Sequence, residues 1–117
     1  MTTFKKGDII LIPFPFTDLT TTKQRPALIV SSNQFHHQRN DIIVMAISSQ
    51  IPAQMPEDEY LLSTTDQKAS GLPKRSIIKL GKIIAINKKL TRKKLGRLPE
   101  QTVTSILDRF KVVLDIK

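Results

Sequence analysis

The chain has 117 residues, no cysteine, no tryptophan and seven prolines, with 39% apolar and 5% aromatic residues. That length suits one domain over residues 1–117 with an aliphatic core, and the lack of cysteine excludes disulfides and thiolate chemistry. Nineteen Lys and Arg against ten Asp and Glu leave a formal charge of +9, which favours a polyanionic partner, either nucleic acid or an acidic protein segment.

In chain order, the apolar run of MTTFKKGDIILIPF is too short for a signal peptide or a membrane span, so a soluble cytoplasmic protein without membrane contact is expected. Gly7 to Phe14 reads as a short strand stopped by Pro13 and Pro15, which cannot donate to a ladder. A polar, threonine-rich loop follows, and it ends at Arg25. Pro26 to Ser32 is a second strand whose Ala-Leu-Ile-Val run suits burial on both faces, and Asp41 to Ser48 is a third. Between them NQFHHQRND reads as a polar turn region. A short edge strand is expected at Glu59 to Leu62, and TTDQKASGLPKR reads as a loop broken by Gly71 and Pro73. Ser76 to Ile86 supplies one long bent strand or two, with Gly81 at the bend or bulge. NKKLTRKKLGR fits a further helical turn that ends at Gly96.

The terminal segment is the clearest helix. Val103, Ile106, Leu107 and Phe110 fall at i, i+3, i+4 and i+7. Pro99 suits the first turn, and Glu100 complements the positive helix end. VVLDI either ends this helix or returns as a strand. Several short strands followed by a covering helix predict a small, strongly bent β-barrel, since closure removes exposed edges.

The charge is concentrated. From Lys74 to Arg97 there are ten basic residues and no acid; the alternatives are contact with a polyanion or a solvated face. His36 and His37 are adjacent, so on an extended chain they point to opposite sides and do not form a ligand pair; no metal site is expected. The four glycines are scattered, which excludes a glycine-rich phosphate loop, and neither a nucleophile elbow nor a carboxylate pair stands out. Arg25 and the pair Ser48-Ser49 remain. Pro26 biases Arg25 to an extended conformation, and its guanidinium offers a planar fork matched to a phosphate. Ser48 ends the third strand, where a hydroxyl can donate to a phosphoryl oxygen. On residue types alone, a surface ion pair at Arg25 and a strand end at Ser48 account for both.

The blocks KKGDIILIPFPFTDLTTTKQRPALIVSS, MAISSQI and GLPKRSIIKLGKIIAI, in that order and followed by a terminal helix, resemble the MazF/PemK family of toxins from bacterial type II toxin–antitoxin systems, from about Lys5 to Ile116. The resemblance implies an SH3-like (CcdB/PemK-type) β-barrel with a C-terminal helix, working as a homodimer. It implies a cofactor-free, metal-independent endoribonuclease, an mRNA interferase that cuts single-stranded RNA at specific short sequences and leaves a 2′,3′-cyclic phosphate and a 5′-hydroxyl. The family's catalytic arginine falls on Arg25 and its hydroxyl residue on Ser48. RNA contacts are expected from Phe16, Thr20, Lys23, Gln24, Ser49, Gln50, Lys74 and Arg75, and a cognate antitoxin is expected to fill the same groove with an acidic tail. The chain departs from the family at Ser48, where threonine is frequent, and at Thr20, where some members carry glutamate. Asp18 reads as an Asx-turn residue. Phe14 and Phe16 suit base stacking or core packing equally. The alternative is a non-catalytic binder on the same barrel, such as a CcdB-like gyrase poison or an RNA-binding module. A phosphate fork beside a hydroxyl argues against the gyrase poison.

Overall fold

The computed structural model describes residues 4–13 and 23–117. The expected stop at Pro15, the loop residues Asp18 and Thr20, and both Phe14 and Phe16 lie outside the described residues. The elements in chain order are β1 (Asp8–Pro13), β2 (Gln24–Ile29), α1 (Asn33–Gln38), β3 (Asp41–Ser48), β4 (Glu59–Leu61), α2 (Thr64–Ser70), β5 (Ile77–Asn87), a 3-10 turn (Lys88–Leu90), β6 (Lys93–Arg97) and α3 (Glu100–Val113). The strands form one antiparallel sheet in the order β4-β5-β3-β2-β1-β6. Among the described residues its hydrogen bonding runs from β4 at one edge to β6 at the other and does not return on itself. Among the described residues no helix is long and apolar enough to cross a membrane.

The apolar runs are continuous because both faces of the central strands are buried. Ile9, Leu28, Met45 and Ile47 point to one side, where Ile78, Leu80, Leu98 and the helix residues Val103 and Ile106 complete a cluster. Ile10, Ile12, Ala27, Ile29, Val44 and Ala46 point to the other, against Ile42 and Ile86. The alternation along each strand is that of the pleat. One long bent strand, not two, follows α2. Between the pairs Ala46↔Lys79 and Met45↔Ile83, β3 moves one residue while β5 moves four. Leu80, Gly81 and Lys82 are the surplus, and the strand bends there.

Three segments differ from expectation. The turn region after β2 contains α1, whose N-cap Ser32 accepts the backbone N–H of Phe35 at 3.1 Å. The segment after β4 contains α2, capped by Ser63, which accepts from the Asp66 N–H at 3.0 Å, and ended by Gly71 at φ 74°. These hydroxyls satisfy donors that a helix start leaves open, and a glycine in the left-handed region is the usual helix stop. The segment 87–97 forms a 3-10 turn and a strand instead of a helical turn. Its strand is anchored to β1 by Lys94 and Arg97, whose cationic groups lie 3.3 and 3.4 Å from the fully buried carboxylate of Asp8. The terminal helix runs to Val113, so VVLDI ends it and does not return to the sheet.

Candidate functional site

β2 pairs with β1 from Gln24 to Leu28, all but its last residue, but with β3 only from Ala27 to Ile29. Pro26 has no N–H with which to continue the second ladder. The register Ala27↔Ala46 therefore breaks off just before it would set Arg25 opposite Ser48. β3 itself continues, with Ser48 paired to Ile77 of β5. The two strands thus part where the candidate residues stand, and a cleft opens between them.

Arg25, Ser48, Ser49, Gln50 and Lys74 line one cavity of about 450 Å³, whose remaining wall includes Leu11, Pro26, Ile47, Leu72, Pro73 and Leu95. A second cavity of about 240 Å³ shares Arg25, Ile47, Ser48 and Gln50 with the first and adds Lys79 and Lys82. Arg25 is exposed, and no hydrogen bond or ion pair joins its side chain to a described residue. Ser48 is half-buried, and its Oγ accepts the backbone N–H of Gln50 at 3.1 Å. That bond turns the chain after β3 and leaves the hydroxyl proton free to be donated to a ligand. Among the described residues lining the two cavities there is no Asp, Glu or His. The chemistry such a wall supports is stabilisation of negative charge.

Of the other residues singled out from the sequence, Lys23, Gln24 and Arg75 are exposed and stand outside both linings. Thr20 and Phe16 fall outside the described residues. Sequence reasoning missed the apolar wall and did not separate Lys79 and Lys82 from the rest of the basic segment. Only the register shows that Lys79, beside Ala46, is two residues along the sheet from Ser48.

The histidines do not converge. His37 is exposed, while His36 is buried and holds two parts of the fold together: its Nε2 meets Ser31 Oγ, and its Nδ1 lies 3.2 Å from the carbonyl of Phe4. Ser31 Oγ also accepts the backbone N–H of Ile43 at 3.0 Å. That bond leaves its proton for Nε2, so the neutral tautomer carries its proton on Nδ1 and donates to Phe4. Burial pushes the His36 pKa below its ordinary value, against a smaller upward pull from the Phe4 carbonyl. His36 is a structural tie, not the polar loop feature expected from sequence. Among the described residues no group of three or more His, Asp or Glu gathers as a metal ligand set would.

Comparison with known proteins bears on the family and the fold. The family model described as "PemK-like, MazF-like toxin of type II toxin-antitoxin system" matches residues 5–114. Endoribonuclease MazF2 of Mycobacterium bovis and Endoribonuclease MazF6 of Mycobacterium tuberculosis are each 26% identical to the chain over 96 residues, which is 80% of this chain and 81% of the relative. Among solved structures, an endoribonuclease in complex with its cognate antitoxin, from a mycobacterial species, matches with a TM-score of 0.78 at 15% identity over 97% of both chains. A MazE–MazF crystal structure from Deinococcus radiodurans matches with a TM-score of 0.77 at 14% identity, covering 99% of this chain and 100% of that one. At those identities the structural likeness speaks for the fold, and the family match speaks for descent. With 5–114 of its 117 residues matched, the chain belongs to the PemK-like, MazF-like toxin family of type II toxin–antitoxin systems.

Proposed function

We propose that the chain is the toxin of a type II toxin–antitoxin pair and a metal-independent endoribonuclease that cuts single-stranded RNA at specific short sequences. One observation carries the reading: Arg25 and Ser48 line the same cavity, at the point where β2 and β3 part. The names of the relatives, each an endoribonuclease, support it.

In the reaction the 2′-hydroxyl loses its proton, its oxygen bonds to the adjacent phosphorus, and the bond from phosphorus to the 5′-oxygen breaks. The 5′-oxygen takes up a proton, and the products are a 2′,3′-cyclic phosphate and a 5′-hydroxyl. Negative charge grows on the phosphoryl oxygens as the phosphorane forms. The Arg25 fork neutralises that charge better in the transition state than in the ground state. Its charge is permanent at any physiological pH, so its role is electrostatic and not that of a base. Ser48 donates its hydroxyl to a phosphoryl oxygen and fixes the phosphate. Lys23, Gln24, Thr20, Phe16, Ser49, Gln50, Lys74 and Arg75 hold the flanking nucleotides.

The finer fold reading is an SH3-like barrel over residues 1–117, supported by the bend in β5 and by burial of both faces of the central strands. The toxin works in the cytoplasm as a homodimer. Val112, Leu114 and Ile116 beyond the buried part of α3, and Ile83 on β5, are exposed apolar residues that suit self-association. Its antitoxin presents an acidic segment to the basic cleft, a pairing that the +9 charge favours.

The test is incubation of the purified protein with a long single-stranded RNA in EDTA, with mapping of new 5′ ends and their chemistry. Discrete cuts bearing 5′-hydroxyls are expected. Intact RNA from a folded sample would replace this reading by the non-catalytic binder, with DNA gyrase as the next target assayed.

A further inference from the structure

The ten basic residues between Lys74 and Arg97 do not share one task. Lys94 and Arg97 tie β6 to β1 through Asp8. Lys88 donates to the carbonyl of His36 at 2.5 Å, and Lys79 is paired with Glu59 at 3.3 Å. Lys74 is different. It is exposed, and no hydrogen bond or ion pair joins its ammonium to a described residue. It lines the cavity of about 450 Å³ beside Arg25 and Ser48, and not the smaller one.

The wall that carries Lys74 is held by its own bonds. Gly71 seats the end of α2 on β6 so closely that an added Cβ would stand 2.1 Å from the Leu95 carbonyl oxygen. The next residue, Leu72, is buried; its N–H donates to Ser70 Oγ at 3.1 Å, and its carbonyl accepts from Gln67 Nε2 at 3.4 Å. Past Pro73, the carbonyl of Lys74 accepts from Oγ of the buried Ser76 at 2.9 Å. The Lys74 side chain therefore leaves a fixed stretch of backbone.

The cavity suits a nucleobase better than a phosphate. Leu11, Leu72, Pro73 and Leu95 give it aliphatic walls. An anion set against them would lose its hydration, whereas the faces of a base are apolar. Its volume falls in the range of roughly 300–1,000 Å³ typical of pockets that hold small organic ligands. The polar groups around it differ in what they can accept. The Ser49 hydroxyl and the Gln50 amide can turn to meet either a donor or an acceptor, but the Lys74 ammonium can only donate. O4 of uracil or O6 of guanine accepts from it. The amine at that place on cytosine or adenine turns its hydrogens toward the charge instead.

We propose that this cavity takes a base next to the scissile phosphate, and that Lys74 selects a keto base, uracil or guanine, over an amino base. This rests on the RNA-cleaving reading of the site and adds to it the chemistry of one recognised nucleotide.

The experiment compares the affinities of short uridine and cytidine oligonucleotides, both with 2′-O-methyl riboses so that they bind without being cut, at about 150 mM salt. The two carry the same charge and differ only on the edge that Lys74 would read. Uridine should bind about tenfold more tightly, and inosine should exceed adenosine in the same way. Lys74→Met should cost the uridine oligonucleotide about tenfold and the cytidine one less than about twofold, because salt screens a lone distant charge. Lys74→Arg keeps the donors and should keep the preference. Since Lys74 has no described partner, both variants should melt like wild type. Equal affinities in the wild type, or a uridine preference that survives Lys74→Met, would overturn the proposal. An equal loss for both oligonucleotides would make Lys74 a phosphate contact and overturn it too. Cleavage of unmodified RNA is followed in parallel: cuts without a keto preference in binding sink only this inference, and intact RNA with that preference sinks only the nuclease reading.

Discussion

Replacing Arg25 with alanine separates a catalytic role from a structural one. The side chain is exposed and bonded to no described residue, and its backbone stays in the ladder to β1 through the pair Ile12↔Arg25. Removing the guanidinium therefore breaks no hydrogen bond or ion pair with a described residue, and stability should move by no more than about 0.5 kcal/mol. The rate should respond very differently. One donor to developing negative charge is worth about 10²–10³ in rate, and the fork presents two donors that act as a unit. A fall of about 10³, or about 4 kcal/mol of transition-state stabilisation, is expected. Arg25→Lys keeps the charge but loses the planar fork and should fall between wild type and alanine. The assay is single-turnover cleavage of an end-labelled oligonucleotide at saturating protein, beside thermal denaturation of each variant. An alanine variant that melts like wild type and cuts within tenfold of its rate would refute electrostatic catalysis by Arg25. A melting point lowered by many degrees would show instead that the arginine supports the fold.

Ser48→Ala removes the hydroxyl from both the phosphate and the Gln50 N–H; a loss of about 1.4 kcal/mol, or tenfold in rate, is expected, while Ser48→Thr should retain most activity in the same assay. At Gly96 an added Cβ would stand 2.5 Å from the carbonyl oxygen of Ala69 and from the carbonyl carbon of Ser70. Those backbone atoms at the end of α2 have nowhere to yield, so Gly96→Ala should cost about 1–3 kcal/mol, read as a lower urea midpoint with an unchanged slope. The His36 pKa is lower in the folded protein than the ordinary 6.5 of the unfolded chain, so between the two values the unfolded state binds more protons. The stabilisation is complete above about pH 6.5 and is lost as pH falls toward the folded value. Urea midpoints at pH 7.5 and pH 5 should differ more in wild type than in His36→Gln; equal differences would remove His36 from the acid response.

Strands were the legible part of the fold because burial on both faces writes itself as apolar runs, as in Ile9–Ile12, Ala27–Val30 and Ile42–Ile47. The terminal helix was legible from one apolar stripe. The short helices were not, since six or seven residues with a single apolar member carry no readable period. Their only signals are caps, and Ser63-Thr64-Thr65-Asp66 does have the spacing of a capping box. β6 was illegible for another reason. Its sequence Lys-Lys-Leu-Gly-Arg lacks strand patterning, and what fixes it is a bond network to Asp8, some 89 positions away from Arg97. The candidate site divides in the same way. Arg25 and Ser48 were legible as chemistry and through the family's motif order. Their shared cavity depends on strand register, and the Leu72–Pro73 and Leu95 walls depend on how α2 seats on β6.

Pro26 joins the fold to the site. Had the β2–β3 ladder continued for two more residues, Arg25 and Ser48 would face each other as cross-strand neighbours with Cβ atoms about 5 Å apart. An arginine pressed against a serine in that way lies along the sheet surface and leaves no room for a ligand. The residue next to Arg25 cannot donate the hydrogen bond that would extend the ladder, so β2 stays fixed on β1 while β3 stays fixed on β5. The arginine is thus carried on a rigid strand, and the serine on another, with the gap between them held open by the two outer ladders. On the proposed reading, such a gap would accept a phosphate without reorganising the sheet, which is the condition under which a fixed charge is most effective in a transition state. The Arg-Pro pair therefore does more than aim a side chain: on the proposed reading, the proline creates the space in which the guanidinium would work.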